Sequence, residues 1–155
     1  MIGDFDFYVG TWDVANRRLT KRLAGSDDWE EFPAVSVARS FFAGAGNFDE
    51  ITFPTMGFSG ATVRLFDPAT ELWSLYWTSS VTPLALRDPP VVGRFVDGVG
   101  EFFADDTFDG VPITVRFRWS DISATTAHWE QAFSVDRGST WETNWIMDST
   151  RREAD

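Results

Sequence analysis

The feature that most constrains the fold is an alternation of apolar and polar residues, interrupted by turn residues roughly every 8 to 12 positions. Alternation with a period of two places successive side chains on opposite faces of a β-strand, whereas helical spacing recurs every three to four residues. The interruptions carry turn-forming residues: Asp67–Thr70 reads DPAT, Asp97–Gly100 reads DGVG and Asp136–Ser139 reads DRGS. We therefore predict an all-β chain.

The alternation defines about ten strands joined mostly by short connections. Short connections make consecutive strands antiparallel neighbours, which predicts an up-and-down sheet. The 155 residues suit a single domain, residues 1–155. The predicted strands are Thr11–Leu19, Glu30–Arg39, Asn47–Phe53, Gly60–Phe66, Leu72–Ser79, Val91–Val96, Glu101–Ala104, Pro112–Trp119, Thr126–Val135 and Thr140–Asp148.

Two connecting segments are too long for hairpin turns. Thr20–Phe32 has room for one helical turn, and Ser79–Pro90 carries three prolines, which exclude a central strand. Each is either an ordinary surface loop or a lid over an open end of the sheet.

The composition excludes several classes of partner. The net charge is −11, with 24 acidic and 13 basic residues, and binding to nucleic acid or to an anionic membrane needs a basic patch instead. No apolar run approaches the roughly 20 residues of a spanning helix, and the N-terminal residues do not resemble a secretory signal. The chain has no cysteine, so disulfides and thiolate metal sites are excluded. We expect a cytoplasmic protein with no nucleic-acid or membrane partner; homodimerisation stays open.

Aromatic residues mark the face of the sheet that we predict to be buried. They make up 16% of the chain, more than core filling requires, and they suit the walls of an apolar cavity. Some polar residues share this face, where each needs a partner: a neighbouring side chain, water or a ligand. Arg18 has the alternative of lying at the rim. The candidate ligand-binding residues are Asn16, Arg18, Trp73, Trp77, Phe117, Trp129, Gln131, Phe133, Thr143 and Trp145.

The last strand illustrates the assignment of faces. Trp141, Thr143, Trp145 and Met147 alternate along it and are predicted to point inward together.

The opposite face of the last three strands carries charged residues. Aligned hairpins place Arg116 opposite Glu130 and His128 opposite Asp148, a favourable arrangement on a solvated surface. His128 is the only histidine, so a Ser-His-Asp triad would require it, but this face favours a surface ion pair.

No motif for a metal, a cofactor or a phosphate group is recognisable. GxSxG, HExxH and Gly-rich phosphate loops are absent from the sequence. The acidic segments Ser26–Glu31 and Phe103–Gly110 lack the ligand spacing of an EF-hand. The sequence therefore predicts no bound metal and no cofactor, and catalytic residues stay unassigned.

The two ends of the chain carry a resemblance to a known fold family. Gly10-Thr11-Trp12 at the start of the first strand, with Arg151 (or Arg152) near the C terminus, resembles the Gly-X-Trp signature and terminal Arg of calycins, the lipocalin and fatty-acid-binding-protein barrels. The stretches DFDFYVGTWDV, LFDPAT, WSLYW and DRGSTWETNWIM are similar to a bacterial calycin-like family of unknown function. The resemblance implies one up-and-down antiparallel β-barrel of about ten strands, closed at one end by Trp12 with Arg151 packed over it.

A barrel with aromatic inner walls predicts the binding of a small hydrophobic or aromatic molecule. One alternative is a cofactor-free enzyme of the isomerase, cyclase or lyase type, which would use Arg18, Gln131 or the His128–Glu130 pair inside the barrel. A second alternative is a haem-binding barrel in which His128 ligates the iron, since some β-barrel haem proteins resemble calycins. A third is a barrel filled by its own side chains.

Overall fold

The computed structural model describes residues 1–81, 86 and 88–153, and this part of the chain forms ten β-strands and two single-turn 3₁₀ segments. The 3₁₀ segments are Asp6–Tyr8 and Phe42–Gly44. The strands are β1 Gly10–Leu19, β2 Trp29–Phe41, β3 Gly46–Phe53, β4 Phe58–Asp67, β5 Leu72–Ser79, β6 Val91–Val96, β7 Val99–Phe108, β8 Val111–Ser120, β9 Thr126–Ser134 and β10 Glu142–Arg151.

The ten strands close into a barrel. Each strand pairs in antiparallel fashion with its neighbours in sequence, and β1 pairs with β10, where Trp12 lies opposite Arg151. Closure supplies hydrogen-bonding partners to strands that would otherwise form exposed edges. The predicted all-β, up-and-down, ten-stranded barrel is confirmed.

Turn chemistry sets the ends of β7, whose predicted bounds were too short. β7 runs from Val99 to Phe108, well beyond the predicted Glu101–Ala104. Asp97 and Asp109 both have positive φ and are each followed by a glycine with positive φ, the pattern of two-residue hairpin turns. Strand pairing therefore continues to these turns, through aspartates that have low intrinsic strand propensity.

The start of β10 also differs from the prediction. The strand begins at Glu142 rather than Thr140, because Asp136 accepts the Thr140 backbone N–H at 2.8 Å and draws that residue into the turn. Between Thr143 and Trp145 the register shifts, so Asn144 is an extra residue in a β-bulge. The prediction of one continuous inner face along this strand was therefore wrong at its N-terminal end.

The two long connecting segments, Thr20–Phe32 and Ser79–Pro90, are described to different extents by the structure. Thr20–Phe32 has room for a helical turn but contains none: bends follow β1, and β2 begins at Trp29. Ser79–Pro90 lies partly outside the described residues, since 82–85 and 87 are not described.

Candidate ligand-binding cavity

Aromatic side chains close the end of the barrel at which β1 begins. Asp6–Tyr8 crosses this end as a 3₁₀ turn, and Phe5 packs edge-on against Trp73 with ring centroids 4.9 Å apart. Trp12 is fully buried. It stacks on Tyr8 at 4.9 Å and donates from Nε1 to the Tyr8 carbonyl at 2.8 Å. These rings form a solid plug.

Arg151 fastens the plug to the barrel. Its guanidinium carbon lies 4.4 Å from the centroid of the Trp12 ring, and its two terminal nitrogens donate to backbone carbonyls of the segment before β1. Gly10 allows this approach, because its φ is +125° and a Cβ there would lie 2.7 Å from Arg151 Nη1. Arg152 instead pairs with the exposed Asp13.

A cavity of about 280 Å³ lies between the plug and the other end of the barrel. Its walls are largely aromatic and aliphatic, which suits an apolar occupant. Inward positions of β5, β8, β9 and β10 supply much of the wall, because alternation turns every second side chain toward the interior. Six of the ten predicted ligand-binding residues line the cavity: Trp77, Phe117, Trp129, Gln131, Phe133 and Trp145.

Two of the other predicted residues lie away from the cavity. Trp73 is fully buried in the plug, where its Nε1 donates to Asp4 Oδ2 at 3.2 Å. Thr143 lies directly opposite Ala132 on β9. Ala132 is next to the cavity-lining Gln131 and therefore points to the other face of the sheet, so Thr143 also lies on the outer face. The bulge at Asn144 causes this change of face.

Asn16 and Arg18 do not line the cavity, but they contact one of its wall residues. Both contact Trp145: Asn16 Oδ1 accepts from its Nε1 at 2.9 Å, and the Arg18 guanidinium carbon lies 4.8 Å from its ring centroid. Arg18 also donates from Nε and Nη2 to Glu30 Oε1 at 3.0 and 2.9 Å. Asn16 Oδ1 and the Arg18 guanidinium group are thus engaged with protein, whereas Asn16 Nδ2 has no hydrogen-bond partner among the described residues. Both side chains contact Trp145 and so help to orient one wall of the cavity.

A buried ion pair forms the floor of the cavity. Arg64 Nη2 donates to Asp49 Oδ1 at 2.6 Å, and Nη1 donates to Asn47 Oδ1 at 2.7 Å. The other Asp49 oxygen accepts from Ser36 at 3.0 Å. Arg64 and Asp49 are 4% and 5% exposed, so both charges are removed from water and depend on each other.

Tyr8 adds a hydroxyl group to the same floor. Its oxygen lies 3.4 Å from Ser149 Oγ, and both residues line the cavity. Burial, with the nearby Asp49 carboxylate, raises the pKa of Tyr8 to about 12, so the phenol stays protonated at neutral pH. Within the described part of the chain, the buried donors Arg64 Nε and Trp119 Nε1 have no hydrogen-bond partner.

Charged residues surround the open end. Arg22 follows β1, Asp88 precedes β6 and Asp106 lies near the end of β7, and all three line the cavity. Burial, and secondarily Asp106, raises the pKa of the Asp88 carboxyl group, while burial lowers the pKa of Arg22. Arg22 also packs over the Phe108 ring at 5.3 Å. Both long connections thus contribute residues to the opening.

The residues of the polar floor were not among those predicted from the sequence to bind a ligand. Asn47, Asp49 and Ile51 lie on the same inward face of β3, and Thr62 and Arg64 share the inward face of β4. Opposite charges on the apolar faces of consecutive strands were the available signal, since a buried charge requires a partner. The signal becomes specific only with the register, which places Asn47 directly opposite Arg64.

His128 lies on the outer face of β9. It alternates with Trp129 and Gln131, which line the cavity. Its Nδ1 lies 2.7 Å from Asp148 Oδ1 and its Nε2 3.2 Å from Glu130 Oε2. Burial lowers the pKa of His128, but the hydrogen bonds and charges of these two carboxylates outweigh it, and the pKa is raised.

The predicted pairing of Arg116 with Glu130 needs one correction. Arg116 lies directly opposite Ala132, and Glu130 lies opposite Arg118. Arg116 still reaches Glu130 diagonally, at 3.6 Å, because diagonal neighbours across strands are within range of long side chains.

Together, the closed barrel and the Trp12–Arg151 contact define a calycin-like barrel with a one-ended cavity. Among solved structures, the chain is similar to the S-type phycobiliprotein lyase CPES from Guillardia theta, with a TM-score of 0.59 and 13% identity over 97% of this chain and 92% of that chain. At this identity the likeness shows the fold alone. No protein-family model and no curated protein matches the chain. Across residues 1–81, 86 and 88–153, no helix is long and apolar enough to cross a membrane.

Proposed function

We propose that this protein binds a small hydrophobic or aromatic molecule in the barrel cavity. The observation that carries the proposal is a space of about 280 Å³ with mainly apolar walls, closed by an aromatic plug at one end. A dry apolar cavity of ~150 Å³ accommodates one benzene molecule. The volume here is about twice that, which suits an occupant of about two fused rings.

The placement of the titratable side chains favours binding over the alternatives. His128 and Glu130 both lie on the outer face of β9, so this pair does not reach the cavity. The same placement keeps the single histidine from ligating a haem iron there. Arg18 is engaged by Glu30. The lyase name of the structural neighbour describes that protein alone.

Naphthalene titration of the intact chain, followed by quenching of tryptophan fluorescence, tests the proposal. Trp77, Trp129 and Trp145 line the cavity, so an occupant lies against them. We expect saturable quenching in the wild type. Ala104 lines the cavity on β7, and Ala104→Phe fills part of it, so the affinity should fall at least about tenfold.

The matched control is Ala15→Phe, which adds the same ring at an exposed position of β1 and should bind like the wild type. Circular dichroism establishes that both variants are folded. Absence of saturable quenching in the wild type, or equal affinity in the folded Ala104→Phe variant, would overturn the proposal.

A further inference from the structure

The polar floor restricts the chemistry of the occupant, provided that the cavity binds a ligand as proposed above. The positive charge of Arg64 is already neutralised by Asp49 at 2.6 Å. Its second terminal nitrogen is engaged by Asn47, and three aromatic rings, those of Phe5, Tyr8 and Trp119, surround the guanidinium group at 5.1 to 5.7 Å. A ligand carboxylate at this floor would therefore be a buried charge without a counterion of its own.

The other charged residues that line the cavity also disfavour an anionic ligand. The charged residues that line it are Arg22, Arg64, Asp49, Asp88 and Asp106, two positive and three negative. At the open end, two carboxylates face one guanidinium. An anionic ligand therefore meets a net negative charge at the opening and a charge-neutral pair at the floor, and low-dielectric walls strengthen the repulsion at the opening.

The groups of the floor that have hydrogen-bonding capacity to spare are mainly donors. The Tyr8 hydroxyl lines the cavity and is protonated, and its contact with Ser149 is long, at 3.4 Å. Unlike Tyr8, Arg64 Nε and Trp119 Nε1 have no acceptor among the described residues. Both of these nitrogens are covered by protein, so Tyr8 is the donor that a ligand reaches directly. The floor thus has donors in excess of acceptors.

We infer that the occupant is an uncharged aromatic molecule bearing an oxygen acceptor, such as a phenol, ketone or quinone, with its oxygen hydrogen-bonded to the Tyr8 hydroxyl. The rings lie against the apolar walls contributed by Trp129 and Trp145. Burying the oxygen without a donor would cost free energy, so Tyr8 selects for an oxygen at this end of the ligand.

Three probes of similar ring size separate the possibilities: naphthalene, 2-naphthol and 2-naphthoate, each titrated calorimetrically at neutral pH. A net neutral hydrogen bond corresponds to roughly three- to tenfold in affinity, so 2-naphthol should bind tighter than naphthalene by about this factor. 2-Naphthoate should bind at least about tenfold more weakly than 2-naphthol.

Tyr8→Phe keeps the ring that stacks on Trp12 and removes only the hydroxyl. It should abolish the preference for 2-naphthol over naphthalene. Tyr76→Phe is the matched control, because Tyr76 alternates with the cavity-lining Leu75 and Trp77 and lies on the outer face of β5. Its ligand preferences should equal those of the wild type.

The outcomes distinguish this inference from the proposed function. If none of the three probes binds the wild type, the proposed function itself fails. If naphthalene binds but 2-naphthol binds no tighter, or if 2-naphthoate binds tightest, the cavity binds ligands and the inference about their chemistry is wrong. The wild-type series decides this even if Tyr8→Phe does not fold.

Discussion

The buried Arg64–Asp49 pair offers the sharpest test of what stabilises the barrel. Asp49→Leu removes one partner and leaves the guanidinium group buried without its carboxylate. Arg64→Met removes the guanidinium group and leaves the Asp49 carboxylate buried without its partner. The double variant replaces both charges with apolar groups of similar size. Breaking a buried pair usually costs 3–5 kcal/mol, whereas replacing the whole pair is often neutral.

The structure places the expected cost of Asp49→Leu near the lower end of that range. After the substitution, Arg64 keeps its hydrogen bond to Asn47 at 2.7 Å and its three surrounding aromatic rings, which offset part of the lost attraction. We expect about 3 kcal/mol of destabilisation, a large fraction of the 5–15 kcal/mol that stabilises a typical domain. The double variant should lie within about 1 kcal/mol of the wild type.

Urea unfolding followed by tryptophan fluorescence measures the three variants in one double-mutant cycle. The exposed Asp13–Arg152 pair is the matched control, and Asp13→Leu should barely move the unfolding midpoint, because exposed pairs contribute little. The reasoning is refuted if both buried single variants cost less than about 1 kcal/mol. It is also refuted if the double variant loses the sum of the two.

Two further predictions concern the backbone and pH. Gly10→Ala should destabilise the barrel by about 1–3 kcal/mol, since φ is +125° and the new Cβ would lie 2.7 Å from Arg151 Nη1. Gly57→Ala is the control, because Gly57 has a positive φ but open space around the position of the Cβ, and it should be less destabilising in the same urea assay. Equal destabilisation by the two substitutions would contradict the explanation by close approach to Arg151. The pKa of His128 is raised by its two carboxylate partners despite burial, so its contribution to stability is complete below the unfolded pKa of about 6.5 and is lost as pH rises through the higher folded pKa. The stability difference between wild type and His128→Gln should therefore shrink with rising pH, and a difference that grows would show that the sign is wrong.

Much of the fold could be predicted from local sequence. Alternation and turn residues are properties of a few neighbouring positions, so they indicate each strand independently of the others. The errors occurred where a contact from outside the strand intervened. Asp136 captured Thr140 at the start of β10, and paired hairpin turns extended β7 through Asp105 and Asp106, which on their own favour a loop.

The cavity walls were predictable for the same reason as the strands. Once a strand's inner face is known, its aromatic side chains must share an interior, which brought Trp77, Trp129 and Trp145 together. The β-bulge at Asn144 interrupted this reasoning, because one extra residue exchanges the two faces of a strand. It left Thr143 on the outside.

By itself, the sequence determined an antiparallel sheet of about ten strands with an aromatic inner face, because a period of two and turn chemistry act over short distances. The Gly-Thr-Trp stretch and the terminal arginine also indicated, by resemblance, a barrel closed at one end. Only the tertiary structure decided what the interior offers a ligand. The pairing of Arg64 with Asp49 and the contact of Tyr8 with Ser149 depend on the register between strands and on closure of the barrel. Those relations join distant residues, and no local pattern specifies them.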